Sequence, residues 1–228
     1  MISIENVTVQ YPNGQLGLRK LSLTIPGQHL VFITGPSGAG KTTLAKLLAL
    51  RIRPTEGKIT VADNDLDDLQ GRQIARYRRS IGSIFQDMPL LENKTVGENV
   101  ALPLLINKNV KTDMIQQVTN TLDVVGLRNK LNYSPVDLTD SELQRVRIAR
   151  AIVTKPTLII ADEPTINMDP QLSVKIMQIF KRLADRKLTV VVTTHDRTHL
   201  ADPRNPVIEM QGGQVFDAMQ GVVRRRAR

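Results

Sequence analysis

Apolar residues follow different periods along this chain, and each period predicts one kind of element. Residues 2–10 alternate between apolar and polar side chains, which predicts a half-buried strand with room for a bulge at Asn6. The same alternation over residues 21–25 predicts a second strand, which Pro26 and Gly27 end. Residues 58–62 add a further strand on this antiparallel side.

Continuous apolar runs predict buried strands of a parallel sheet. These runs cover residues 30–33, 158–161 and 189–193, and a shorter strand covers residues 81–85. Helices are expected over residues 41–51, 71–79, 95–106, 111–125, 141–153 and 170–185. A hairpin around Gly212 and Gly213 ends the pattern. The alternation predicts an α/β fold with a parallel central sheet, an N-terminal antiparallel β subdomain and a helical insertion.

The composition excludes several function classes. With 228 residues, 41% hydrophobic and 23% charged, the chain can bury a core and is not disordered. The absence of cysteine excludes disulfides, thiol catalysis and cysteine-ligated zinc, and the 3 histidines are too scattered for a zinc protease. Aromatic residues make up 3%, which argues against base-stacking platforms for single-stranded nucleic acid. No apolar run reaches the roughly 18–20 residues of a membrane span, so we expect a soluble, cytoplasmic protein.

The basic charge is partly concentrated at the C-terminus. Of the net charge of +9, four units come from Arg224, Arg225, Arg226 and Arg228, which leaves about +5 elsewhere. Three interpretations stay open: a solvated tail, contact with an anionic membrane surface at about 1 kcal/mol per basic residue, and contact with nucleic acid. We expect no specific nucleic-acid partner.

A glycine-rich segment carries the clearest chemical signal. The residues Gly35-Pro36-Ser37-Gly38-Ala39-Gly40-Lys41-Thr42 match the pattern G-x-x-x-x-G-K-[ST], and they join an apolar strand to a helix. Small residues let backbone N–H groups surround a phosphate, and the helix N-terminus adds positive potential. We therefore expect Lys41 to reach the β and γ phosphates, Thr42 to bind Mg²⁺ and Thr43 to contact the α phosphate.

Two carboxylates and a histidine follow the other buried strands. Asp162 comes after four apolar residues and is the candidate ligand of Mg²⁺, while Glu163 is the candidate general base. The alternative is that both carboxylates cap a helix before Pro164. His195 follows the third buried run, where it would face the γ-phosphate, although a lone histidine is more often structural.

Together these residues resemble the nucleotide-binding subunit of ABC-type ATPases over nearly the whole chain. The phosphate loop at residues 35–43, Gln86, Asp162-Glu163, Asp169 and His195 fall in the order found in that family. The resemblance implies a P-loop NTPase fold, ATP as substrate and Mg²⁺ as its metal. It also implies that Tyr11 stacks on adenine, that Gln86 senses Mg²⁺ and that Asp169 lines a dimer contact.

The resemblance further implies a mechanism and an assembly. Two subunits would sandwich two ATP molecules, each lying between one phosphate loop and the signature motif of the partner. The segment from Phe85 to Leu104 is most similar to the FtsE group of cell-division ATPases, with the LolD and MacB groups as near relatives. We expect an ATP-dependent homodimer on the inner face of the cell membrane, coupled to an integral membrane protein of the FtsX type. The expected parts are a core over residues 1–85 and 156–220, a helical subdomain over 87–155 and a basic tail over 221–228.

The signature motif departs from the pattern of the family. The family motif is Leu-Ser-Gly-Gly-Gln/Glu-x-Gln-Arg, whereas this chain has Leu138-Thr139-Asp140-Ser141-Glu142-Leu143-Gln144-Arg145. Thr139 keeps a hydroxyl and forms a capping-box pattern with Glu142, so a helix should still begin there. Asp140 places a carboxylate near the partner's ATP, where two unit charges 4 Å apart repel by roughly 1 kcal/mol in water and ~4 at an effective dielectric of 20. We expect weakened ATP-driven closure, unless the loop takes another conformation.

Three functions remain in competition. The first is an ATPase motor with an FtsX-type partner, and the second is the ATPase of a LolD- or MacB-like transporter. The third is a nucleotide-dependent binding module with weak turnover, which the altered signature favours and the intact Glu163 and His195 oppose. A DNA-repair ATPase is disfavoured because no long coiled-coil insertion interrupts the motifs. A kinase is disfavoured because phosphoryl transfer to a substrate leaves the set of Glu163, Gln86 and His195 unexplained.

Overall fold

Two β-sheets and a group of helices make up the computed structural model, which describes residues 1–62, 64–106, 113–166 and 168–219. The strands are β1 (Ile2–Gln10), β2 (Leu16–Ile25), β3 (Leu30–Thr34), β4 (Glu56–Val61), β5 (Asn64–Asp65), β6 (Ile81–Ile84), β7 (Leu158–Asp162), β8 (Thr189–Thr194), β9 (Val207–Gln211) and β10 (Gln214–Met219). The helices are α1 (Lys41–Leu48), α2 (Arg72–Ser80), α3 (Val96–Ile106), α4 (Met114–Val124), α5 (Asp140–Ile152) and α6 (Pro170–Asp185). The expected helical residues 111–112 and the basic tail 221–228 lie outside the described residues.

The first sheet is antiparallel, as the alternating pattern predicts. Its strand order is β2-β1-β4-β5. The alternating apolar residues of β1 are buried, and the register with β2 shifts between Ile4 and Val7, a span that includes Asn6 with its φ of 50°. The bulge is therefore present where the alternation breaks.

The second sheet carries the parallel strands. Its order is β10-β9-β3-β8-β7-β6, with parallel pairing throughout except in the β9–β10 hairpin. Every residue of β3 and β7 is buried, because helices or the other sheet cover both faces. The expectation of a parallel central sheet is confirmed, with β10 as its antiparallel edge.

The register brings the ends of four parallel strands to one edge. Thr34 pairs with Thr194, Asp162 with Thr193, and Ile84 with Ala161. The segments after β3, β6, β7 and β8 therefore begin at one level, at the carboxyl edge where open α/β sheets bind ligands.

The helices between β6 and β7 form the predicted helical block. Helices α3, α4 and α5 contribute to a second hydrophobic core, separate from the core that includes α1 and the antiparallel sheet. Helix α1 ends at Leu48, earlier than expected, because Leu50 turns to a left-handed φ of 53°. Among the described residues, no helix combines the length and apolarity needed to cross a membrane.

Candidate functional site

The loop between β3 and α1 requires glycine at positions 35 and 40, where other backbone atoms pack closely. Gly35 has φ +145°, and a Cβ there would lie 2.1 Å from the carbonyl oxygen of Met210. Gly40 has φ +97°, and a Cβ there would lie 2.6 Å from the carbonyl oxygen of Gly17. Both positions combine a left-handed backbone with close backbone packing, so the glycines are required by the loop itself.

The start of α1 is suited to an anion. Its N-cap, Gly40, supplies no side-chain cap, and the first turn contains no acidic residue. The first N–H groups of a helix need acceptors and carry positive potential, which a phosphate satisfies. The Nζ of Lys41 donates to the carbonyl oxygens of Gly35 (2.8 Å) and Pro36 (3.1 Å), so its charge is held inside the loop.

An oxygen cluster joins α1 to β7 and β8. The hydroxyl of Thr42 donates to Oδ1 of Asp162 at 3.2 Å, and the hydroxyl of the buried Thr193 donates to the same oxygen at 2.5 Å. A carboxylate beside a hydroxyl is a donor set that Mg²⁺ accepts when substrate phosphates and water supply the rest. Within the described residues, no group of three or more His, Cys, Asp or Glu forms a metal site of its own. The residues present therefore fit a metal shared with a phosphate ligand.

Glu163 lies between a lysine and a histidine. Its Oε1 is 3.8 Å from Nζ of Lys41, and its Oε2 is 2.9 Å from Nδ1 of His195. Because a carboxylate only accepts, this contact assigns the proton to Nδ1. The backbone of Glu163 is left-handed at φ 47°, and its N–H donates to the carbonyl oxygen of Thr193 at 3.1 Å. The alternative of a helix cap before Pro164 is wrong, because the next helix, α6, begins only at Pro170.

Two further candidates flank this group. The hydroxyl of Tyr11 lies 2.9 Å from Oγ1 of Thr43, which places the tyrosine beside the loop. Asp169 caps α6, where its side chain accepts the N–H of Leu172 at 2.9 Å.

Gln86 is exposed at the end of β6, and arginines hold the segment around it. Arg51 forms two bonds to Asp87, at 2.7 and 2.9 Å, and its guanidinium lies 4.7 Å from the ring centroid of Phe85. The hydrogen bond from Arg51 lowers the pKa of Asp87. From α5, Arg150 donates to the carbonyl oxygens of Met88 (3.2 Å) and Pro89 (2.9 Å), and Arg147 also donates to Met88.

The altered signature segment begins α5. Thr139 and Glu142 form the predicted capping box, and the N–H of Thr139 is the main cause of the lowered pKa of Glu142. Asp140 is exposed, and the hydroxyl of Ser141 lies 3.3 Å from that of Thr139. Within the described part of the chain, no hydrogen bond joins Thr139, Asp140 or Ser141 to the phosphate loop. From α5, Gln144 contacts the segment after Glu163, where it donates to the carbonyl oxygen of Pro164 at 3.0 Å.

Thr193 and Arg51 belong to the site but were not among the sequence-derived candidates. Thr193 holds both Asp162 and the N–H of Glu163. The available signal for Thr193 was a hydroxyl residue directly after the three valines of β8, two positions before His195. Arg51 offered none, because its role depends on a tertiary contact with the segment around Gln86.

Comparison with known proteins agrees with this geometry. The sequence model of the ABC transporter family matches residues 18–166. The cell division ATP-binding protein FtsE of Escherichia coli (strain K12) is 42% identical over 196 residues, covering 86% of this chain and 88% of that protein. The FtsE of Mycobacterium tuberculosis is 40% identical over 226 residues, covering 97% of each. The ATP-binding cassette MJ0796, a dimer in a post-hydrolysis state with ADP and phosphate, superposes with a TM-score of 0.88 at 32% identity, covering 96% of this chain and 97% of that one.

Proposed function

Because the chain belongs to the ABC transporter family, whose ATP-binding subunits hydrolyse ATP, we propose that it is an FtsE-like motor for cell division. In this role it acts as an ATP-dependent homodimer that drives an integral membrane protein of the FtsX type from the inner face of the membrane. The observation that carries the proposal is Glu163, held between Lys41 and His195 beside the Thr42–Asp162 pair.

The phosphate loop binds the substrate. The N–H groups at the start of α1 and Nζ of Lys41 donate to the phosphate oxygens of ATP, which replace the carbonyl oxygens that Lys41 contacts. Thr42 and Asp162, with Gln86 from the adjacent strand end, would hold Mg²⁺, which would supply neutralisation of charge on the phosphate oxygens. Tyr11, beside Thr43, supports the adenine.

Glu163 and His195 act on the reacting water. Water attacks the γ-phosphorus, the bond from phosphorus to the β-phosphate oxygen breaks, and Glu163 accepts the proton of the water. The products are ADP and inorganic phosphate. His195 fixes the carboxylate through Nδ1, so that it keeps one orientation toward the water.

The signature segment of a second subunit completes the site. Thr139, Asp140 and Ser141 lie on the exposed start of α5, where a partner subunit can present them to ATP, and Asp169 lines the contact between subunits. The carboxylate of Asp140 opposes this closure, which favours a second candidate function: a nucleotide-dependent binding module with weak turnover. A LolD- or MacB-like transporter ATPase remains the third candidate.

The membrane partner meets the chain beside Gln86. A groove of about 280 Å³ reaches Met88, two residues after Gln86, and is also lined by apolar residues of α3 and by the cations Arg78, Arg79 and Arg150. This lining suits a segment of the membrane protein that is partly apolar and acidic. In this proposal the core carries out the ATP chemistry and the helical subdomain 87–155 couples it to the membrane partner, while the basic tail 221–228 is a candidate contact for anionic lipid.

The test of the motor is steady-state ATP hydrolysis by the intact protein and by Glu163→Gln. We expect turnover in the first and a loss of about 10²-fold or more in the second, at unchanged nucleotide binding. Equal rates would refute the proposed chemistry. Co-expression with a membrane protein of the FtsX type then tests the partner. The variant Arg79→Glu should weaken co-purification, whereas Arg186→Glu, at a residue that lines a different groove, should not.

A further inference from the structure

A buried histidine outside the proposed chemistry lies four residues beyond His195. The side chain of His199 is 8% exposed, and its Nε2 lies 2.6 Å from Oγ of Ser173, which is also buried. The Oδ2 of Asp196 lies 3.5 Å from the same nitrogen. A buried imidazole bonded to a buried hydroxyl is a satisfied polar pair with a defined geometry.

This bond joins two segments that both reach the site. Ser173 lies in the first turn of α6, and its N–H donates to the carbonyl oxygen of Asp169 at 3.0 Å. His199 follows His195 by four residues, in a turn where the carboxylate of Asp196 accepts the N–H of Thr198 at 2.9 Å. The bond therefore fixes the loop of His195 against the helix that Asp169 begins.

The other side-chain contacts of the loop that carries His195 constrain it less than the bond between His199 and Ser173 does. Arg197 pairs with Glu209, but its side chain is 67% exposed, and such surface pairs contribute little. Asp196 is held to Thr194 within its own strand end. Among the described residues, and apart from the bonds of His195 itself to Glu163, the buried side-chain bond from this loop to another element is thus the one from His199 to Ser173.

We propose that His199 is a positioning residue for ATP hydrolysis, which acts through His195 by holding its loop against α6. The inference rests on the proposed function, because it requires that His195 fix the carboxylate of Glu163. It predicts an effect on kcat at nearly constant KM, since none of the contacts of His199 involves the phosphate loop.

The experiment compares His199→Leu, Ser173→Ala and His199→Gln in the full-length protein. The first two remove the bond, while the third keeps a polar tip that can reach Ser173. We expect kcat to fall about tenfold for the first two with KM for ATP changed less than about twofold, and His199→Gln to recover most of kcat. The control is His29→Leu, an exposed histidine at the start of β3, the opposite end of the sheet. If His199→Leu does not fold, Ser173→Ala, which removes one oxygen, decides.

A double-mutant cycle separates positioning from general stability. In a His195→Ala background, measured by single turnover of radiolabelled ATP, His199→Leu should change the rate less than about twofold. The same fold-loss in both backgrounds, or an unchanged kcat in the single variants, would overturn the inference. Failure of the proposed function is a different outcome, in which the unmodified protein and Glu163→Gln hydrolyse ATP equally.

Discussion

Arg51 forms a bidentate ion pair with Asp87, with N–O distances of 2.7 and 2.9 Å. The arginine follows the helix that starts at the phosphate loop, and the aspartate follows Gln86. The pair therefore ties the end of α1 to the segment that we propose senses Mg²⁺. Arg51 also stacks on Phe85, the residue before Gln86, so it holds the segment at both neighbours of Gln86.

Removing this pair should weaken the response to magnesium. We expect Arg51→Ala to raise the Mg²⁺ concentration for half-maximal ATPase activity by about tenfold, as when a group that orients a metal ligand is lost. The control is Arg53→Ala, because Arg53 donates to backbone carbonyls of residues 66, 67 and 69 instead. Equal magnesium titrations for the two variants would rule out a role for Arg51 in placing Gln86.

Lys41 should be required for binding as well as for hydrolysis. Lys41 is 7% exposed, and its ammonium group is held within the loop, where we propose that it meets the phosphates. We expect Lys41→Ala to lower the affinity for ATP by about 100-fold or more, because a bound charge loses its paired cation. Equilibrium binding of a fluorescent ATP analogue measures this. Lys46→Ala, a change on the same helix but outside the phosphate loop, should bind normally, and unchanged affinity in Lys41→Ala would contradict the proposed site.

Restoring the family signature should strengthen ATP-driven dimerisation. In a Glu163→Gln background, we expect Asp140→Gly/Ser141→Gly to tighten the ATP-dependent dimer by about tenfold or more, since a carboxylate near the γ-phosphate is removed. Analytical ultracentrifugation with and without ATP gives the dimer dissociation constants. The control variant is Asp137→Gly, which removes a nearby acid that precedes the motif. Equally tight dimers with and without the glycines would show that the loop accommodates Asp140.

Tyr77 should stabilise the fold in a pH-dependent way. Its hydroxyl donates to the carbonyl oxygen of Leu48 at 2.6 Å, and burial raises its pKa well above the ordinary 10.0. We expect Tyr77→Phe to lower the free energy of unfolding by about 1 kcal/mol at neutral pH.

The difference should shrink above pH 10. Above pH 10, Tyr77 loses its proton in the unfolded chain and keeps it in the folded chain. The free energy of unfolding of the intact protein therefore falls with rising pH, whereas Tyr77→Phe has no such proton to lose. Urea unfolding between pH 7 and 11 tests this, with the exposed Tyr133→Phe as control. A constant difference across that range would show that Tyr77 ionises as easily in the fold as outside it.

Local sequence rules predict the elements and the phosphate loop of this chain. The alternation in β1, the apolar runs of β3, β7 and β8, and the capping box at Thr139 each express interactions within a few residues. Strand ends then place Asp162 and His195 together, because parallel strands share one edge.

The remaining contacts depend on the assembled fold. Arg51 meets Asp87 across 36 positions, and Ser173 meets His199 across 26, and neither pair has a local signature. The early end of α1 likewise follows from a left-handed Leu50, a conformation that the helical period does not contain.

The left-handed backbone at position 163 favours glycine for stability, whereas the proposed catalysis requires the glutamate side chain. A glutamate at φ 47° is under strain of about 1–2 kcal/mol, which glycine would relieve. A library of this chain selected only for heat resistance will accordingly enrich Glu163→Gly and become inactive, whereas one selected for turnover will keep the carboxylate. Efforts to make a more robust version of this protein should therefore hold position 163 fixed.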